Sequence, residues 1–188
     1  MSTAPVLRSG LTWEEFLELP DEPRFKHAEL IDGEVVVNPA NWRHQHVVSE
    51  LVTQLRTWTR GGPGRGGVTL DPPVKINARR GYLPDVAWYR EGRHRPRASE
   101  FYLEGPPDLA IEVLSPSTRA VDLVRERADY ARVGVCELWL VDPDVPTVLV
   151  LRAVDGPEFL LAEELDANGT LANPLLPGLA IPVAELFG

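Results

Sequence analysis

The segment Asp108-Leu109-Ala110-Ile111-Glu112-Val113-Leu114 is an apolar strand with one acid near its end, and Ser115-Pro116-Ser117 stops it. Alternation sends Leu109, Ile111 and Val113 to one face and Ala110, Glu112 and Leu114 to the other. After the proline break, a helix is predicted from about Arg119 to Val133, ending before Gly134. Cys136–Val141 (CELWLV) is then nearly all apolar, as a central strand covered on both faces would be. Thr147–Arg152 reads as its neighbour, and Phe159–Ala162 adds an edge strand.

Upstream, Leu83-Pro84-Asp85-Val86-Ala87-Trp88 repeats the anomaly of an acid inside an apolar strand. Here Leu83, Asp85 and Ala87 share a face, opposite Val86 and Trp88. Pro84 cannot donate to a sheet ladder, so it marks an edge, a bulge or the start of the strand running to Tyr89. A strand near Pro73–Ile76 precedes it. In Ala28–Val37, two short strands flank Asp32-Gly33, a pair suited to the positive φ angles of a hairpin turn. Thr12 and Glu15 have the spacing of a helix capping box. Val47, Val48, Leu51, Leu55 and Trp58 recur at helical spacing, which predicts a long helix from about Asn41 to Thr59. Gly61–Gly67 (GGPGRGG) is a flexible loop without the Lys-Ser/Thr ending of a phosphate-binding loop. Pro177–Phe187 reads as a loop and a short closing helix. The sum is an α/β chain of the α+β type, a mixed β-sheet with a helix on each face.

The 188 residues contain no repeat and no long linker, so a single domain over 1–188 is expected. Apolar residues make up 44% and charged residues 25%, ordinary for a globular protein. The longest apolar runs are too short to cross a bilayer, and residues 1–10 lack the pattern of a signal peptide, so no membrane partner is expected. With Cys136 as the lone cysteine, no internal disulfide can form, and a cytoplasmic location is the simplest expectation. The net charge of −9 argues against a broad phosphate-binding face. Arg79, Arg80, Arg90, Arg93, Arg95 and Arg97 nevertheless form a local basic cluster, readable either as a nucleic-acid contact or as a solvated loop face.

Asp85 and Glu112 are the residues most in need of explanation. A carboxylate inside an apolar strand is costly unless its charge is compensated. Two of them on strands that could be neighbours would make a hard, oxygen-rich site suited to Mg2+ or Mn2+. The alternatives are an arginine partner for each, or a wet strand end. No Cys/His spacing suggests zinc, and no Gly-x-Ser-x-Gly elbow suggests a serine hydrolase.

Pro84-Asp85, then Glu112-Val113-Leu114 after an apolar strand, then a helix and another apolar strand, resembles the PD-(D/E)XK nuclease superfamily. The chain more closely resembles the Uma-two family of restriction-endonuclease-like proteins, also called domain of unknown function 820. The matching stretches are Glu29–Glu34, His44-Gln45, Leu83–Ala87, Pro107–Thr118, Tyr130-Ala131, Gly134-Val135 and Leu138–Pro143. The resemblance implies a restriction-endonuclease-like core over about 28–152, with the hairpin as an N-terminal extension. It implies a phosphodiester hydrolase in which Asp85 and Glu112 hold the metal, Glu29 adds a third carboxylate, and His44 stands at the start of the long helix. His46, His94 and His27 rank below His44, and His27 is assigned to the strand face opposite Glu29. The expected substrate is nucleic acid, DNA ahead of RNA. A homodimer is the natural assembly for cutting two strands.

The superfamily often places a lysine two residues after the second acid, and here that position is Leu114. The family of closest resemblance takes its lysine from the next helix, four residues before the tyrosine, and here that position is Glu126. Asp122, Glu126 and Tyr130 share one helix face. Arg125 and Arg127 flank it, each turned about 100° around the helix, and could counter phosphate charge but not act as a base. Two readings follow: an Mg2+- or Mn2+-dependent nuclease, or an inactive binding or regulatory module with a vestigial metal site.

Overall fold

The computed structural model describes residues 6–20, 22, 27–37, 41–93, 105–115, 122–154 and 158–188. Strand β1 (Val6–Ser9) is followed by helix α1 (Trp13–Leu17). The expected capping box is present. The Glu15 N–H donates to the Thr12 hydroxyl at 3.3 Å, and the Thr12 N–H donates to Glu15 Oε2 at 2.8 Å. Strands β2 (Ala28–Ile31) and β3 (Glu34–Val37) form the expected hairpin. Asp32 (φ 52°) and Gly33 (φ 86°) take the positive φ angles the turn requires. Helix α2 (Trp42–Arg60) starts at Asn41, whose side chain accepts from the His44 N–H at 3.0 Å.

Four short strands follow: β4 (Gly67–Leu70), β5 (Val74–Asn77), β6 (Arg80–Tyr82) and β7 (Val86–Tyr89). Then come β8 (Leu109–Val113), helix α3 (Asp122–Val133), β9 (Glu137–Asp142), β10 (Thr147–Ala153) and β11 (Phe159–Asp166). Strands β12 (Thr170–Asn173) and β13 (Leu176–Pro182) and a 3-10 turn (Val183–Leu186) complete the described elements.

A six-stranded sheet runs β11-β10-β9-β8-β7-β4. It is mixed, because β8 and β9 are parallel while the other pairs are antiparallel. On one face, Val47, Leu51, Leu55 and Trp58 of α2 join a core with Trp88, Ile111 and Trp139. On the other, Tyr130 and Ala131 of α3 join Ala110, Leu138 and Leu140. The expectation of a helix on each face is met. Each strand of the β8–β9 pair is apolar on both sides because each meets a helix layer on both sides.

A second sheet, β1-β3-β2-β6-β5, departs from the expected single sheet. Its core holds Trp13, Phe16, Ala28, Leu30 and Val35. Consequently the strand expected over Leu83–Tyr89 begins only at Val86. β6 belongs to the second sheet and β7 to the first, and Leu83-Pro84-Asp85 crosses between them. Pro84 has no N–H for either ladder, so it sits where the chain changes sheets. The expected loop after Pro177 is another correction. β12 and β13 form a hairpin that buries Leu171, Leu176, Leu179 and Ile181 and leaves Pro177 and Pro182 exposed.

Gly81 shows how closely α1 lies on the second sheet. A Cβ placed there would fall 1.9 Å from Cζ3 of Trp13. Gly81→Ala is therefore expected to destabilise the fold by roughly 2–3 kcal/mol through overpacking. Urea denaturation reads this as a lowered midpoint. An unchanged midpoint would mean that α1 lifts away at little cost.

Candidate functional site

The ladder between β7 and β8 pairs Val86 with Ile111 and Ala87 with Ala110. Asp85 immediately precedes Val86 and Glu112 immediately follows Ile111, so this antiparallel register directs the two acids toward one another, and the charge of Asp85 acts on Glu112. The register thus brings together two acids 27 positions apart in the chain. Asp85, 9% exposed, is held firmly. Its Oδ2 accepts from the Val113 N–H at 2.8 Å, and His44 Nε2 lies 3.1 Å from each of its two oxygens.

Glu112 Oε1 accepts from the Tyr130 hydroxyl at 2.6 Å. Burial pushes the Glu112 carboxyl well above the usual carboxylate range, and the charges of Asp85, Glu126 and Glu29 push it further. The Tyr130 bond opposes that rise. Burial and the neighbouring carboxylates of Glu112, Glu126 and Glu29 likewise hold Tyr130 well above the usual phenol range. Glu29 of β2 and Glu126 of α3 are each 8% exposed. The two sheets and α3 thus deliver four carboxylates to one place.

This arrangement has a consequence for stability. Glu112 binds its proton more tightly in the folded chain than in the unfolded one. Its contribution is fully present below the ordinary carboxylate pKa and is lost as pH rises through the raised value. For metal-free protein, the urea midpoint is expected to fall with rising pH above the ordinary carboxylate range. In Glu112→Gln that slope should be shallower. Identical slopes would contradict the electrostatic account of this cluster.

The other expected candidates are distributed as follows. His44 is 6% exposed and contacts Asp85. Arg125 is exposed, and its Nη1 donates to Asp32 Oδ2 at 3.0 Å at the hairpin turn. Arg127 is half-buried on α3. Asp122 begins α3, and its side chain lies outside the described residues. Leu114 is half-buried against the α3-side core. The basic cluster does not form one face among the described residues. Arg80 pairs with Asp32 and Asp129, while Arg90 and Arg93 both pair with the buried Asp108. His94, Arg95 and Arg97 fall outside the described residues.

Two residues enter the site unforeseen. His27 is not on a strand face. It precedes β2 in a left-handed conformation (φ 56°), and its ring lies 6.5 Å from that of His44. Asp71, also left-handed (φ 45°), follows β4, and its N–H reaches the Asp85 carbonyl at 3.4 Å. Donor atoms of His27, Asp71 and Asp85 all lie within 4.8 Å of one another. Strand alternation cannot foresee this placement, because a left-handed residue leaves the period-2 pattern.

Over residues 13–184 the chain matches the Uma2 family, described as "Putative restriction endonuclease". The chain belongs to the Uma2 family. The Uma2 match runs from α1 into the closing 3-10 turn and takes in every candidate residue named above. A crystal structure of "a putative nuclease belonging to DUF820" from Anabaena variabilis superposes with a TM-score of 0.78 at 23% identity. The superposition covers 95% of this chain and 98% of that one, so the two share a fold. No curated protein matches the chain. Among the described residues, no helix is long and apolar enough to cross a membrane.

Proposed function

We propose that this Uma2 chain is a cation-dependent phosphodiester hydrolase of the PD-(D/E)XK type, acting on DNA in preference to RNA. The observation that carries the reading is the proximity of Asp85 to Glu112 amid two further carboxylates, Glu29 and Glu126. The donor set fits a hard divalent cation such as Mg2+ or Mn2+, because oxygen ligands of like charge need a cation between them. Asp85 and Glu112 are the residues that would hold it. A bound dication supplies Lewis-acid polarisation of a phosphoryl oxygen and lowers the pKa of water.

The chain's own groups supply orientation and proton handling. Val113 N–H and His44 fix both oxygens of Asp85, and Tyr130 fixes Glu112. Glu29 and Glu126 are carboxylates able to accept a proton from a water beside the scissile phosphate. Arg127 is the better placed of the two α3 arginines to counter phosphate charge, because Arg125 is already paired with Asp32. The protein works as a homodimer in the cytoplasm under this reading.

A second reading, an inactive nuclease-fold binding module, is favoured by Glu126. This acid, buried beside Glu112, occupies the position where the resemblance calls for a lysine. Supercoiled plasmid separates the two. Nicking that needs Mg2+ or Mn2+ and stops on chelation is expected from the hydrolase. Protein that binds the cation and leaves the plasmid intact would support the second reading.

A further inference from the structure

His27, Asp71 and Asp85 present a donor set of different chemistry from the carboxylate cluster. We infer that these three residues form a second cation site, taking a transition-metal dication through one imidazole nitrogen and two carboxylate oxygens. Asp85 belongs to both sites. The inference goes beyond the proposed activity and requires neither catalysis nor Glu112.

Geometry supports it first. His27 Nδ1 lies 3.7 Å from Asp71 Oδ1. That is too long for a hydrogen bond, for which about 2.7–3.2 Å is usual. It is close to the separation of roughly 3.4 Å between two donors that share a tetrahedral ion with bonds of about 2.1 Å. The donor atoms of the full trio lie within 4.8 Å of one another, so side-chain rotation of about an ångström closes them around one ion. His27 and Asp71 are 32% and 40% exposed at their side chains, which leaves a path from solvent.

The support beneath the trio is the second argument. Carboxylate ligands are commonly oriented by hydrogen bonds from behind. Asp85 is gripped in that way by the Val113 N–H and by His44 Nε2. With Nε2 donating to Asp85, His44 Nδ1 is a bare acceptor. It is buried and has no hydrogen-bond partner, in a ring set edge-on to that of His27. Nδ1 lies on the ring edge turned away from the Asp85 carboxylate, so it is the Nε2 grip on Asp85 by which His44 supports the trio.

Donor type decides the ion. Imidazole suits Zn2+, Ni2+ or Co2+, whereas an all-carboxylate site suits Mg2+. The test is Zn2+ titration of the full chain by calorimetry, with Mg2+ titrated in parallel. Zn2+ affinity is expected to fall at least tenfold in His27→Ala and in Asp71→Asn. It should be retained in Glu112→Gln. Zn2+ binding that is equally tight in the His27 and Asp71 variants, or that depends on Glu112 instead, would overturn the inference. Mg2+ binding or plasmid nicking that fails in wild type would count against the hydrolase reading alone. Should a variant lose its far-ultraviolet dichroism, NMR of the wild-type histidines decides. A shift of the His27 ring resonances with the first equivalent of Zn2+ supports the site, and their constancy overturns it.

Discussion

Asp85→Asn is expected to lower cation-dependent plasmid cleavage by roughly 10³-fold, a loss of about 4 kcal/mol of transition-state stabilisation. The size follows from how many roles meet at this side chain. Its charge acts on Glu112, it accepts from Val113, contacts His44, and lies among the donors that include His27 and Asp71. Asparagine keeps the shape and can still accept from the Val113 N–H, so the fold should survive and dichroism should be unchanged. What it removes is the charge that both cation sites share. Cleavage at the wild-type rate by folded Asp85→Asn would show that this carboxylate is structural.

Glu126→Lys is expected to act in the opposite direction, raising the cleavage rate by about 10²-fold, the typical worth of one well-placed electrostatic group. Two effects combine. The change removes one of the carboxylates that push the Glu112 proton affinity up, and it sets a cation on the helix face that carries Tyr130. The same variant should therefore flatten the pH dependence of stability described above, because Glu112 regains an opposite charge. A folded Glu126→Lys protein with no gain in rate would show that the α3 position does not limit the reaction.

Local signals carried much of the architecture. Thr12 and Glu15 sit one helical turn apart, and Asp32-Gly33 needs only its own backbone angles, so both devices are legible in a few residues. The doubly covered strand β9 is legible for the same reason, since its burial is written in consecutive apolar residues. The second sheet was not legible. Beyond its β2–β3 and β5–β6 hairpins it is joined by the β1–β3 and β2–β6 pairings of non-consecutive short strands, and three or four residues are too few for a period to show. At the site, Asp85 and Glu112 stood out because an acid in an apolar strand violates patterning. His27 and Asp71 did not, because a histidine and an aspartate in turns are ordinary there. Only the crossing between sheets, at Leu83-Pro84-Asp85, brings them to one point.

The departures at Leu114 and Glu126 also gain a physical meaning. Leu114 is half-buried against the α3-side core, and its aliphatic side chain offers no group for chemistry. Glu126 instead enters the electrostatics of Glu112 directly. Under the proposed function a cation would offset the mutual repulsion of this cluster, which would tie its stability to metal.

Anomalous diffraction from crystals soaked in millimolar Mn2+ tests the central claim most directly. The expected result is a peak bound by carboxylate oxygens of both Asp85 and Glu112, at about 2.2 Å from each. Absence of Mn2+ between these two residues would contradict it, whether or not an ion occupies the His27, Asp71 and Asp85 site.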